Sequence, residues 1–396
     1  MNAQVMTKNE REKGCDSENS SYPIIDSHIH LYPLSELDNI GWFPSSSPLY
    51  RQYSLDEYVT ATSAESSTPG FIFMEVDRKH DLSNPGSENN QGWEMPLKED
   101  TIDPSHTECQ FLSNDNQINR LTFNGTVDLA RRIALGTPRN GEGHSAEQKQ
   151  LCRGIIPWAP IPCGEEVLEL YLTQVKIHAG ESLPKIRGFR YLVHDKPRGV
   201  MLEENFIKGL QWLGRKNFTF DLGIDQHRRG KWQLEEAIQM ISKAHDGVKD
   251  EDKVHVIIMQ QDHLCKPNLS IYNQTDPIFI AWRASIFSLS KCSCTYMKLS
   301  GCFSEMPVTL KAASVDEIFT AMQPYLAVIL ATFGPSRIMF GSDWPVCTPD
   351  VDDAWNKWRL VVQRFCSLAS LSSEEQKMIW SGTAIKAYGL DSFESS

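Results

Sequence analysis

The chain has no run of roughly 18 or more apolar residues, so no membrane-spanning helix is expected from it. Residues 1–22 are polar and charged and contain no apolar core of a signal peptide. They read as a disordered tail, and the protein as cytoplasmic. Basic residues are in deficit. Lys and Arg total 39 against 51 Asp and Glu, a formal net charge of −12, which argues against a general binder of nucleic acid or of an acidic membrane surface. Zinc-finger spacing is missing too: Cys292 and Cys294 form a Cys-x-Cys with no second Cys or His pair to complete it. The ten cysteines are scattered, several in apolar runs (Cys152, Cys302, Cys366), and read as reduced thiols. No internal repeat of solenoid length is present.

What remains is material for a large core, with 40% hydrophobic residues in 396. Eight apolar strand-like runs occur in order, at 24–31, 70–76, 152–159, 185–193, 218–224, 254–259, 296–300 and 337–340. Helix-period segments lie between most of them, among them 165–178, 316–333, 352–366 and 373–388. Eight strands alternating with helices predict an α/β fold of the (β/α)8 barrel type, with a doubly wound sheet as the alternative. One barrel domain over 23–392 is expected. Its rhythm is interrupted by a polar insertion at about 78–119, after the second strand, and by an irregular piece at 136–146. In a barrel, loops after strands lie on the catalytic face, so the first insertion is a candidate lid or substrate wall.

The chemistry sits at strand ends. The first strand carries Asp26, His28 and His30, which strict alternation places on one face, with Ile25 and Ile29 on the other. Two imidazoles two residues apart can hold one metal ion or jointly polarise one substrate oxygen. The last strand runs into Gly341-Ser342-Asp343-Trp344-Pro345, where Asp343 can ligate a metal and take a proton from attacking water. The sixth strand is followed by Asp262-His263-Leu264-Cys265-Lys266. There His263 is a candidate acid or oxyanion donor and Lys266 a candidate partner for an anionic group. Arg187 and Arg190 on the fourth strand need a carboxylate or a ligand. Asp221 on the fifth strand is a candidate partner for one of them, and Glu75 on the second is the least specific of the set.

Taken in order, Ile25-Asp26-Ser27-His28-Ile29-His30, Arg187-Gly188-Phe189-Arg190, Phe220-Asp221-Leu222, Asp262-His263-Leu264-Cys265-Lys266-Pro267, Lys298-Leu299-Ser300-Gly301 and Phe340-Gly341-Ser342-Asp343-Trp344-Pro345 resemble the amidohydrolase-related (amidohydrolase 2) family, in its branch of sugar-acid lactonases. Gly141-Glu142-Gly143-His144 and Trp158-Ala159-Pro160 add to the likeness, which spans about 22–390. The resemblance implies a distorted TIM barrel and a hydrolase that opens a small lactone of the L-rhamnono-1,4-lactone kind. It implies Asp343 as general base, with His28 and His30 polarising the carbonyl. His263 would act on the oxyanion or the leaving oxygen, and Arg190, Lys266, Asp221 and Glu75 would position substrate. Metal-dependent members usually add a histidine at the end of the fifth strand. Here that strand offers Asp221 and Gly223, and the nearest histidine is His227. Two chemistries stay open on this departure: one divalent ion, zinc or manganese, on His28, His30 and Asp343, or metal-free action of the same residues. A metal-dependent decarboxylase and a non-catalytic sugar-acid-binding barrel are the alternatives. The partner expected is a small molecule, not nucleic acid or membrane; the oligomeric state is open.

Overall fold

A computed structural model describes residues 22–63, 70–77, 126–259 and 274–392. Eight short parallel strands organise them: β1 (Ile25–Ile29), β2 (Gly70–Met74), β3 (Cys152–Ile156), β4 (Gly188–Leu192), β5 (Thr219–Gly223), β6 (Val256–Met259), β7 (Thr295–Leu299) and β8 (Ile338–Phe340). All eight expected strands are present, most of them shorter than the apolar run that announced them. The expected insertion at about 78–119 lies outside the described residues, as does the expected tail apart from Tyr22.

The strands hydrogen-bond as two parallel sheets, β1-β2-β3 and β4-β5-β6-β7-β8. Isolated bridges join the sheets at both edges. Ile155 pairs with Ile186 and Trp158 with Arg190 at one seam, and Ile29 pairs with Trp344 at the other. The amide of Arg190 donates to Pro157 O at 2.8 Å, and that of His30 to Trp344 O at 2.8 Å. The strand order is therefore cyclic, and the fold is a distorted (β/α)8 barrel whose seams are held by bridges rather than full ladders.

The longer helices wrap the strands: α1 (Leu55–Thr62), α2 (Thr126–Leu135), α3 (Gly164–Ala179), α4 (Glu204–Arg215), α5 (Trp232–His245), α6 (Pro277–Ser290), α7 (Val315–Phe333), α8 (Ala354–Leu368) and α9 (Thr383–Tyr388). Local chemistry sets several starts. Ser54 and Glu57 form a capping box on α1, and Ser314 and Glu317 one on α7. Asp276 accepts from the Ile278 amide at 2.8 Å ahead of Pro277 on α6. The stretch 373–388, read as one helix, breaks into an α-helical turn, a π-helical segment (Met378–Gly382) and α9. No described helix is long and apolar enough to cross a membrane.

Two apolar shells result. The outer one lies between strands and helices; it buries Val167, Leu168, Tyr171 and Val175 of α3 and Trp355, Trp358 and Phe365 of α8. The inner one fills the barrel with Ile25, Ile72, Met74, Ile156, Ile257, Tyr296 and Met339, and α9 packs onto it through Ala384, Ala387 and Tyr388. Cys152, Cys292, Cys294, Cys302, Cys347 and Cys366 are free thiols. Cys163 is disulfide-bonded and departs from the all-reduced expectation.

Candidate active site

Strict alternation fails in β1, and the failure builds the site. The pairing of β1 with β2 shifts between Asp26 and Ile29, so Asp26 does not share a face with His28 and His30 as expected. It points outward, fully buried, to Tyr58 of α1 and Trp355 of α8. Its Oδ2 accepts from Tyr58 Oη at 3.1 Å and from Trp355 Nε1 at 2.8 Å. Its Oδ1 accepts from the Ser342 amide at 2.8 Å and the His28 amide at 3.3 Å. One carboxyl thus ties β1 to the loop after β8. Burial pushes this carboxyl above the usual range, against the opposing pull of these donors.

On the inner face His28, His30 and Asp343 converge. His28 Nε2 lies 3.0 Å from His30 Nε2 and 3.2 Å from Asp343 Oδ1, and His30 Nε2 lies 3.5 Å from the same oxygen. The three side chains are buried and form the one metal-capable His/Cys/Asp/Glu cluster found among the described residues. Tetrahedral zinc with bonds of ~2.0–2.2 Å has ligand–ligand edges of about 3.3–3.5 Å, so the triangle has the size a single ion requires. The donor set fits as well. His30 Nδ1 lies 3.3 Å from the Met74 carbonyl, which can only accept, so the ring proton sits on Nδ1 and Nε2 presents its lone pair. Burial lowers the His30 pKa against an opposing pull from Asp343, and this direction favours the neutral, ligating ring.

Backbone geometry sets the third corner. Asp343 has φ of 59°, a left-handed conformation that is costly for a non-glycine residue. Its amide donates to His28 O at 2.9 Å and its carbonyl accepts from the Cys347 amide at 3.0 Å. Ser27 Oγ donates to Phe340 O at 2.6 Å. A side chain at Gly301 would place a Cβ 2.3 Å from Ser342 O; glycine there lets β7 and β8 run on side by side into the site.

His30 lines a cavity of about 540 Å³, together with Asp77, Arg190, His194, Asp225 and Lys311. Arg190 is 2% exposed and donates to Glu75 O at 2.7 Å. His194 Nε2 lies 2.7 Å from Asp195 Oδ2, and Asp195 also accepts from Arg229. Asp221 and Glu75, expected at the substrate, are absent from the cavity wall. Asp221 accepts instead from Lys298 Nζ at 2.7 Å and from Tyr388 Oη at 2.9 and 3.0 Å, inside the barrel. Lys298, not an arginine, is its partner. The Glu75 carboxylate accepts from the Asp77 amide. His263 and Lys266 lie outside the described residues. Glu142 of the Gly-Glu-Gly-His piece is a structural anchor, with Oε2 2.9 Å from Arg132 Nε. The reading of the sequence missed Asp77, His194 and Asp195. The clue that singled out Asp343, a polar residue just past an apolar strand, stood at Val76-Asp77 and Val193-His194 as well.

The amidohydrolase family model matches residues 255–390. An L-rhamnono-gamma-lactonase of Scheffersomyces stipitis is 29% identical over 377 residues, covering 94% of this chain and all of that protein. An L-fucono-1,5-lactonase of Burkholderia multivorans is 30% identical over 210 residues, 52% of this chain and 64% of that protein. Crystal structures of a Burkholderia multivorans amidohydrolase, one with HEPES and one with zinc bound, superpose with TM-scores of 0.61 and 0.60 at 21% identity, over 93% of this chain and 99% of theirs. At that identity the likeness speaks for the barrel alone. The C-terminal third of the chain, residues 255–390, matches the amidohydrolase family model, and the chain is similar over 94% of its length to a lactonase.

Proposed function

We propose that this protein is a lactonase that hydrolyses a small sugar-acid lactone of the L-rhamnono-1,4-lactone kind. The observation that carries the reading is the His28–His30–Asp343 triangle behind a cavity of small-molecule size, in a chain similar over its length to a lactonase. A divalent ion, zinc or manganese, would be held by His28, His30 and Asp343, and would supply Lewis-acid polarisation of the carbonyl and acidify water. The protein's own groups do the rest. Asp343 accepts a proton from the water as its oxygen bonds to the ring carbonyl carbon. The neutral His30 ring is held in place by its bond to Met74 O. Arg190, buried and charged at the cavity wall, donates to substrate oxygens and offsets negative charge as the carbonyl becomes tetrahedral.

The test is a pH-indicator hydrolysis assay over a panel of aldonolactones, run on purified protein before and after chelation, with metal content measured alongside. Turnover that is lost on chelation and restored by zinc or manganese is expected. Asp343→Asn, which tolerates the left-handed backbone, should lower turnover by at least ~100-fold. Absence of turnover on every lactone, or near-normal turnover in that variant, would overturn the reading.

A further inference from the structure

Asp77 stands just past β2 with φ of 56°, the same left-handed conformation as Asp343. For a non-glycine residue that conformation persists only where the surroundings impose it. Here they do so from several sides. The Asp77 amide donates to the Glu75 carboxylate, its carbonyl accepts from the Gly41 amide at 3.2 Å, and the neighbouring Val76 carbonyl accepts from Trp42 Nε1 at 2.9 Å. All of these bonds are spent on backbone. No hydrogen bond among the described residues ends on the Asp77 carboxyl, and Asp77 lines the cavity that His30 and Arg190 also line. A strained backbone thus presents a carboxyl to the space where substrate must sit.

Opening a lactone needs a proton at a second place. When the bond between the carbonyl carbon and the ring oxygen breaks, the electron pair stays on that oxygen. An aliphatic alkoxide, about as basic as hydroxide, leaves slowly unless it is protonated as it departs. Asp343 Oδ1 is held against His28 and His30 and Asp343 is not among the residues lining the cavity, whereas Asp77 is, so Asp77 is the carboxyl placed to reach the ring oxygen. We propose that Asp77 is the general acid of this site and gives its carboxyl proton to the ring oxygen as the acyl C–O bond breaks. The balance closes. Water loses one proton to Asp343 and bonds to the acyl carbon, the ring oxygen gains one from Asp77 and becomes a hydroxyl, and solvent returns a proton from Asp343 to Asp77.

The surroundings raise the Asp77 pKa, the direction an acid requires. Burial raises its pKa and the nearby Asp195 adds to the rise, while Arg190 on β4 and His194 and Lys196 in the loop after it oppose it; the net direction is up.

The inference rests on lactone hydrolysis as the reaction, and its test separates the two. Wild-type protein and Asp77→Asn are compared on an aldono-1,4-lactone, whose leaving group is an alkoxide, and on an aryl lactone, whose phenoxide has a conjugate acid of pKa ~10 and leaves without help. Asparagine accepts positive φ, and the thermal midpoint checks that the variant is folded. Asp77→Gly, equally at ease there, should behave alike. We expect kcat on the aldonolactone to fall ~100-fold and on the aryl lactone less than about threefold. The wild-type rate should decline as pH rises through the pKa of the acid, and this alkaline limb should vanish in the variant. Equal losses on both substrates, or an alkaline limb that persists, would overturn Asp77 as the acid and leave lactone hydrolysis standing. If the cavity admits only the aldonolactone, the pH profile decides alone. Wild-type inactivity on both would overturn lactone hydrolysis itself, and the assignment of Asp77 with it.

Discussion

Asp26 shows how one side chain can govern a site it does not enter. Its two oxygens accept four donors from β1, α1, α8 and the loop before Asp343. Asp26→Ala leaves those donors buried without an acceptor, at roughly 1–3 kcal/mol for each. We expect a loss of at least about 3 kcal/mol in urea denaturation, together with lower kcat, because the Ser342 amide no longer has its anchor. An unchanged midpoint would show that the anchor is dispensable. The sequence made the neighbours of Asp26 readable and its own role unreadable. His28 and His30 were legible because two histidines at the end of an apolar strand have few other uses. The outward turn of Asp26 was not, because a register shift depends on the partner strand. Asp77 was overlooked for a different reason. A single acid past a strand is common, and only the fold shows that it reaches the same cavity as His30.

At the scale of elements, the eight strands and most helices could be read from apolar periodicity, since burial against the barrel demands it. The filling of the barrel could not. β4, β5 and β7 place Arg190, Asp221 and Lys298 in the interior, where branched apolar residues are usual. Lys298 and Asp221 are almost wholly buried and 2.7 Å apart, and Tyr388 of α9 donates to the same carboxylate. Burial lowers the Lys298 pKa, while Asp221 works to keep the charge in place. Removing one partner should cost more than removing both. Asp221→Asn is expected to destabilise by about 3–5 kcal/mol, and Asp221→Asn combined with Lys298→Met to recover much of it. A double-mutant cycle read by thermal denaturation measures the difference, and simple additivity would contradict a tightly coupled pair.

For the whole molecule, the places where the ring closes matter most. The cyclic order completes only through bridges at two seams, and the seam between β8 and β1 carries His28, His30 and Asp343. An ion held there would cross-link the two ends of the fold, so binding and stability should be linked. Zinc at ~100 times its dissociation constant should add about 2.7 kcal/mol to the folded state. Calorimetry should then show the unfolding temperature rise with zinc and fall with chelator, and the response should disappear in His30→Ala. A zinc response retained by that variant would place the ion elsewhere.

That seam also sets when the protein can begin to work. Ser27 and Phe340, bonded to each other across it, stand 313 positions apart in the chain. At ~5–20 residues per second a ribosome needs roughly 15–60 s to travel from one to the other. Throughout that interval the two histidines exist without their aspartate. On the proposed reaction, a nascent or prematurely terminated chain would have no partial activity to offer, and turnover would report that translation has passed the eighth strand.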